Sequence, residues 1–331
     1  MSSLHNNIPL PSGITDCATS FQAWHSFDKT SKQWEALPFD DNQQDEHVQQ
    51  DTQPDSRPYR LVTWNVEFNT PFPAIRLSAI LSRIFSLSPA PDIIFLQELE
   101  EEAFRQLLDE TEIRDNWLLS DASGSIPSHL PFITVTLLSK RRSHNICPGP
   151  VWRLSYPSYF KRDALCCDIS VPSASAAPPS RVRLVNVHLD SLDFKPSCRP
   201  KQLEIVASYL RSADAGLVAG DFNPVLPEDG ELVEKNGLVD AWEVLRPGEP
   251  GFTWGHKSKQ RYPPKRMDKI AMLNLDAKEI DVLDPGYVSY EAAEKGQVVM
   301  LSSRKSKDAL PCSDHSGLLC SFTLSASAAE E

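Results

Sequence analysis

The chain has 331 residues, of which 40% are hydrophobic and 24% charged, an ordinary balance for a globular protein long enough to bury a large core. It has no run of about 18 apolar residues and no basic-then-apolar start, so neither a membrane span nor a secretory signal is expected. The net charge of −12 would repel a nucleic-acid strand if spread evenly, but residues 1–58 hold half of it, nine acids against Lys29, Lys32 and Arg57.

That first segment, 1–58, is rich in Gln, Asp, Asn and Ser and has little apolar periodicity, so it is expected to be largely irregular. Phe21, Trp24, Phe27 and Trp34 make it too aromatic for a pure linker and suggest a segment draped over the domain. No linker interrupts 59–323, which reads as one domain; 324–331 is expected to fray. Strand-length apolar runs cover 60–66, 92–97, 133–139, 165–171, 182–189 and 216–222. Between them, apolar spacing predicts a helix over 75–87, ending before Pro89, and another over 199–210. Strand pairs without helices alternate with strand–helix–strand stretches, the pattern of a mixed-sheet sandwich with helices outside. The seven cysteines show no CxxC spacing, and Cys166-Cys167 sits in a strand, so buried thiols in a reducing compartment are expected.

Six segments each end a hydrophobic stretch with groups that phosphodiester hydrolysis uses. They are Thr63-Trp64-Asn65, Leu96-Gln97-Glu98, Val187 to Ser191, Gly220 to Asn223, Met267 to Ile270 and Ser313-Asp314-His315. Singly, each has an ordinary explanation. Glu98 is either an acid opening a helix over 99–110 or a metal ligand, since Mg²⁺ takes hard oxygens and needs only one or two carboxylates. Asn65 could close an Asx turn. Gly220 permits a tight bend, after which Asp221 and Asn223 point to one side of an extended chain. A lone His188 would more often be a core residue, but Asp190 and Ser191 beside it favour a polar pocket. Asp268 either pairs with a nearby Lys or Arg or accepts the Nδ1–H of His315, fixing its tautomer. Asp314 and His315 could form a surface turn. Their joint occurrence points to one active site assembled from strand ends. The basic run Lys257, Lys259, Arg261, Lys265, Arg266 and Lys269 reads as a phosphate-binding loop, whereas Lys140-Arg141-Arg142 reads as a solvated face.

The order and spacing of these segments resemble the endonuclease/exonuclease/phosphatase superfamily of metal-dependent phosphodiesterases over residues 59–323. The resemblance implies a four-layered α/β sandwich of two mixed β-sheets flanked by helices. It implies Mg²⁺, or Mn²⁺ in its place, on Glu98 with Asn65 and Asp314 nearby. Asp221 matches the acid/base, Asn223 the residue orienting the phosphate, and His315 the catalytic histidine paired with Asp268. Within the superfamily the chain looks like the 5′-tyrosyl-DNA phosphodiesterases. His188-Leu189-Asp190-Ser191 resembles their His-Leu-Glu-Ser, with Asp for Glu. Phe252-Thr253-Trp254 resembles their Tyr-Thr-Trp, and Arg266 to Ile270 their Arg-x-Asp-Lys/Arg-Ile. Lys161-Arg162 falls where that family carries basic residues.

The expected reaction is hydrolysis of a 5′-phosphotyrosyl or similar adduct on DNA, or on RNA. Asp221 would take the proton of the attacking water, and charged His315 would donate to a phosphoryl oxygen. His188 and Ser191 would line the phosphate. A tyrosine phenol has a pKa of about 10, so its phenolate leaves without a strong acid. Trp254 would stack on a base or sugar, with Arg162, Lys265 and Arg266 as further substrate contacts. RNA deadenylation, abasic-site cleavage, and sphingomyelin or inositol-phosphate hydrolysis stay open, as does a non-catalytic binding role. An intracellular monomer of the nucleus or cytoplasm is expected, with no membrane partner.

Overall fold

The computed structural model describes residues 17–38, 57–142, 146–172, 179–255, 263–302 and 305–325. In chain order, β1 (Ala18–Gln22), β2 (His25–Asp28) and β3 (Gln33–Ala36) precede β4 (Tyr59–Asn65), α1 (Pro73–Phe85) and β5 (Ile93–Leu99). Next come α2 (Glu101–Asp109), α3 (Thr111–Asn116), β6 (Trp117–Leu119), β7 (Ile133–Ser139), β8 (Cys147–Ser155), β9 (Asp163–Val171) and β10 (Ser180–His188). They are followed by α4 (Arg199–Leu210), β11 (Ala215–Asp221), α5 (Leu232–Lys235), β12 (Val239–Asp240), α6 (Ala241–Leu245), β13 (Asp268–Leu273) and β14 (Leu275–Leu283). Last are β15 (Tyr287–Ser289), α7 (Tyr290–Ala293), β16 (Met300–Leu301), β17 (Ala309–Pro311) and β18 (Gly317–Leu324).

Two mixed sheets stack face to face. One runs β1-β8-β9-β10-β11-β13-β12 and the other β14-β18-β4-β5-β7-β6-β2-β3, with a small β16-β15-β17 sheet beside them. The parallel pairs, β10 with β11 and β4 with β5, are the ones joined through α4 and α1. Parallel neighbours need such a crossover, and the helix then covers the sheet's outer face. Leu61, Phe95, Leu165, Leu184, Leu217 and Phe322 fill the layer between the sheets. Leu77, Ile80, Phe104 and Leu107 seal α1 and α2 onto the second sheet, and Leu203, Val206 and Leu210 seal α4 onto the first. The layers are therefore helix, sheet, sheet, helix. Being covered on both faces, β7, β9 and β10 are buried along most of their length, and Cys166 and Cys167 are buried in β9. Among the described residues no helix is long and apolar enough to cross a membrane.

Two expectations need correction. Residues 18–36, read as irregular, form three short strands: β1 pairs antiparallel with β8, and β2 pairs with both β3 and β6. Trp24, only 5% exposed, donates its indole N–H to the Gly149 carbonyl at 2.8 Å, while Trp34 is half-buried. Residues 1–16 and 39–56 lie outside the described residues. Arg142 is likewise no part of a solvated face. It is buried, donates to Asp92 at 3.0 Å and lies 4.7 Å over the Tyr59 ring.

Because Trp24 fills a site in the inter-sheet core, Trp24→Ala is expected to lower unfolding free energy by about 3–5 kcal/mol in urea titrations. An unchanged midpoint would show that the 18–36 segment is peripheral.

Candidate active site

The C-terminal ends of β4, β5, β10 and β11 and the N-terminal ends of the antiparallel β13 and β18 meet at one end of the sandwich. Each brings one of the six segments. At the end of β11, Gly220 has φ +139°, and a Cβ there would run into the Val187 carbonyl oxygen of β10. Only glycine lets the two parallel strands approach this closely. Asp221 follows at once. Its Oδ1 accepts from the Asn223 backbone N–H at 2.9 Å, and Asn223, in the left-handed region, donates its side-chain amide to the Leu189 carbonyl at 3.1 Å.

Asp221 Oδ2 lies at the middle of the cluster. It accepts from Asn65 Nδ2 at 3.1 Å and lies 3.4 Å from His188 Nε2 and 3.8 Å from His315 Nε2. The same Asn65 amide donates to Glu98 Oε1 at 3.0 Å, and Glu98 Oε2 accepts from the Phe68 N–H at 3.0 Å. Glu98 has φ +61° at a bulge in the β5–β7 pairing. That conformation costs of order 1–3 kcal/mol in a non-glycine residue, and here it turns the carboxylate out of the strand toward Asn65 and His188. His188 Nε2 is 3.6 Å from Glu98 Oε1, and both its ring nitrogens are buried without a hydrogen-bond partner.

On the other side of Asp221, His315 Nδ1 meets Asp268 Oδ2 at 2.8 Å. Asp268 is fixed in turn by Thr253 Oγ1, which accepts from the Met267 and Asp268 N–H groups at 3.1 and 3.0 Å. Ser313 Oγ donates to the Asn65 carbonyl at 2.7 Å and accepts from the His315 N–H at 3.0 Å, stitching β4 to the turn before β18.

These contacts set the charges. Burial pushes the Asp221 carboxyl up to about 7; Asp268 and Glu98 add to the rise, and His315 opposes it. Burial disfavours a charged His315, yet the Asp268 and Asp221 carboxylates outweigh it and hold the imidazolium well above its ordinary range. His188 goes the other way: burial, Arg162 and His315 keep it neutral. It stacks on Phe132 at 5.5 Å and 15°, and Arg162 lies 4.7 Å over the same ring while donating to Ser191 Oγ at 3.2 Å.

Of the residues singled out in the sequence, Asn65, Glu98, His188, Asp221, Asn223, Asp268 and His315 converge, with Arg162 and Ser191 at the rim. Others sit differently. Arg266 donates to both oxygens of Asp240 at 2.8 Å and to Glu243 at 2.6 Å, so its charge is spent within the chain rather than on a substrate. Asp314 is absent from the Glu98 cluster; its Oδ2 accepts from Trp254 Nε1 at 2.9 Å and its Oδ1 lies 3.9 Å from His315 Nε2. Asn65 turns its NH₂ to the two carboxylates and its Oδ1 to the Glu67 N–H at 3.0 Å, so it positions the acids. Lys265 Nζ donates to the Val225 carbonyl at 3.2 Å and its backbone bridges Trp254. Lys257, Lys259 and Arg261 lie outside the described residues.

Phe132 and Glu67 were missed. Glu67 accepts from the Asp314 N–H at 2.9 Å and pairs with Arg76. It stands two residues beyond Asn65, the spacing that joins Asp221 to Asn223. Nothing local marks Phe132.

One oxygen each of Glu98 and Asp221 and one nitrogen of His188 lie within 4.8 Å of one another. Two converging carboxylates beside a neutral imidazole, with no thiol among them, fit a hard divalent cation centred on Glu98. The Asp221, Asp268 and His315 group, equally compact, is already joined by its own hydrogen bond.

No protein-family profile and no curated protein sequence matches this chain. Solved structures do. A humanized D. rerio TDP2 superposes with a TM-score of 0.60 at 20% identity, covering 80% of this chain and 98% of that one. The human Nocturnin catalytic domain, with a bound sulfate, gives 0.53 at 17% identity over 81% and 95%. An endonuclease/exonuclease/phosphatase family protein from Bacteroides thetaiotaomicron gives 0.55 at 14% identity over 81% and 96%. The chain thus has the fold of the endonuclease/exonuclease/phosphatase proteins.

Proposed function

We propose that this chain is a metal-dependent phosphodiesterase that hydrolyses a 5′-phosphotyrosyl, or chemically similar, bond on DNA or RNA. The observation that carries the reading is Asp221, a buried carboxyl raised to about 7 and set between neutral His188 and the Asp268-bound His315. A carboxyl near neutrality is a stronger base than an ordinary aspartate, yet still gives up its proton at the pH of a cell.

Asp221 Oδ2 accepts the proton of the attacking water, with the Asn65 amide holding the carboxylate in line. His315 keeps its Nδ1 proton on Asp268 and directs Nε2–H at a phosphoryl oxygen, where charge builds as the bond to the leaving oxygen lengthens. His188 Nε2, Arg162 and Ser191 bind the remaining phosphate oxygens. A Mg²⁺ or Mn²⁺ ion held by Glu98 would neutralise phosphate charge and polarise the ester. Trp254, half-buried beside Lys265, stacks on the nucleoside side. A nucleic-acid substrate would place this monomer in the nucleus or cytoplasm.

Purified protein, given 5′-tyrosyl oligonucleotide, abasic duplex, poly(A), sphingomyelin and an inositol phosphate in parallel, should act best on the first and on none in EDTA. Glu98→Gln should bind Mn²⁺ more weakly in calorimetry and lose turnover while keeping its melting temperature. Full activity in EDTA would sink the metal role; a preference for another substrate would reassign the reaction.

Asp221→Asn and His315→Ala should each lower kcat on the order of 10²-fold or more, with smaller effects on KM. Asp268→Asn should cost less, because Asp268 acts through the ring it orients. A near-normal kcat in Asp221→Asn would remove its role as base. Trp254→Ala should raise KM for the oligonucleotide by roughly tenfold and leave a base-free aryl phosphodiester unchanged. A parallel fall for both substrates, with early melting, would make Trp254 a structural residue.

A further inference from the structure

A cavity of about 460 Å³ lies between the β2–β3 hairpin and the loop that follows β6, and none of the catalytic residues lines it. β2 meets β6 in a single pair, His25 with Leu119, and beyond that pair the two chains part. On one side Trp24 turns into the inter-sheet core, where its indole N–H reaches the Gly149 carbonyl at 2.8 Å. On the other side the chain runs on into the 120–123 loop. Trp34 and Ala36 of β3 close the gap. The hairpin register sets Ala36 opposite His25 and Trp34 opposite Phe27, so these side chains share one face.

The lining is rich in hydrogen-bond acceptors and carries no fixed positive charge. Gln22 Oε1 and His25 Nδ1 are buried, and neither has a hydrogen-bond partner among the described residues. Asp121 is half-buried and is the only carboxylate of the lining; its Oδ1 accepts from the Ser123 N–H at 2.8 Å. One such bond leaves an ionised carboxylate with further capacity to accept. Ser123 directs its hydroxyl proton to the Ser125 carbonyl at 3.1 Å, away from these acceptors. No lysine or arginine is among the described residues that line the cavity. Arg105, which reaches the adjoining Gly124 carbonyl at 3.4 Å, is already paired with Glu101.

An anion placed there would meet Asp121 with nothing to balance it. A bare metal ion would have no use for the indole of Trp34 or for the methyl groups of Ala23, Ala36 and Ala122, which make up the apolar part of the wall. An organic cation uses all of these, because its N–H groups supply the missing donors and its stem covers the alanines.

We propose that this cavity binds a guanidinium group carried on an alkyl stem. Among organic cations a guanidinium fits best: it is planar, stacks on aromatic rings, is weakly hydrated and presents five N–H donors. Asp121, Gln22 and His25 receive those donors, His25 through Nδ1 in the tautomer that keeps its proton on Nε2. Trp34 is in place beforehand. Its indole N–H donates to the Leu108 carbonyl at 3.3 Å, and its ring meets Phe27 edge-on at 5.5 Å, so little order has to be created on binding. The site stands apart from the catalytic end and takes nothing from the phosphodiesterase reading.

The test is a titration of the whole protein with butylguanidinium, butylammonium and two blocked peptides, Gly-Arg-Gly and Gly-citrulline-Gly. Binding is followed through the tryptophan indole N–H signals in two-dimensional NMR, and Trp34→Phe identifies the signal at the site. Butylguanidinium should bind roughly three- to tenfold more tightly than butylammonium. The arginine peptide should bind about tenfold more tightly than the citrulline peptide, which has nearly the same shape and no charge. Asp121→Asn keeps an acceptor for the Ser123 N–H and removes the charge. It should weaken guanidinium binding about tenfold and leave the melting temperature unchanged. An arginine peptide that outbinds butylguanidinium assigns the occupant to a polypeptide side chain, and equal affinities assign it to a free guanidine. Equal binding of the arginine and citrulline peptides would overturn the site, as would full affinity in Asp121→Asn. Butylammonium binding as tightly as butylguanidinium, or no binding of either guanidine, would do the same. Loss of the phosphodiesterase reading would leave every one of these outcomes as it stands.

Discussion

Asn186 of β10 and Gln97 of β5 are fully buried between the two sheets, where polar side chains are costly unless paired. Asn186 accepts from Gln97 Nε2 at 2.8 Å and donates to the Val135 and Leu96 carbonyls at 3.1 and 3.4 Å, while Gln97 also donates to Thr63 at 3.0 Å. The apolar side chains around them hold the sheets together but tolerate sliding, because burial has no direction. The amides do not. One step of slip would strand several buried donors and acceptors at about 1–3 kcal/mol each. Glu98 follows Gln97 by one residue and His188 follows Asn186 by two, so the pair fixes the Glu98–His188 separation of 3.6 Å. The geometry of the site is set one and two residues beneath it.

Above that pin, the site is an exercise in crowding like charges. Glu98, Asp221, Asp268, Asp314 and Glu67 stand close together, and burial together with Asp314 pushes the Glu67 carboxyl up. Neutral donors do much of the work of holding them apart: the Asn65 amide bridges two acids, backbone N–H groups serve Asp221 and Glu98, and Trp254 serves Asp314. His315, Arg76 and Arg162 bring positive charge to them. A site with excess carboxylate attracts a divalent cation.

Much of this was legible in the chain. The runs ending in Asn65, Glu98, His188 and Asp221 read as strands because both their faces are buried, and each ended in a reactive group because strand ends are where a sandwich opens to solvent. The Asp268–His315 contact was legible only as one of two choices, since 47 residues separate the partners. Arg266 misled because a basic residue close to Asp268 in sequence looks the same whether it faces a phosphate or Asp240, and only the fold decides. β1 to β3 were hidden by their length of four or five residues and their polar composition. β2 and β3 pair locally as a hairpin, but the strands that tie β1 and β2 into the sheets, β8 and β6, lie some 90 to 140 residues away, beyond any local pattern. Phe132 carried no signal, because an aromatic residue in a loop meets its partners only once the loops are brought together.

Those first strands lace the two sheets at their edges. β1 is the border strand of one sheet and β3 of the other, so a segment of about twenty residues supplies two of the four margins. Exposed margins invite pairing with other chains, and here the protection is non-local: Ala18 meets Ser155. As the chain leaves the ribosome, β1 is made 137 residues ahead of its partner in β8 and has to wait for it. The nascent protein must therefore carry β1 unpaired over that interval, and this margin of the sheet is completed only once β8 has been made.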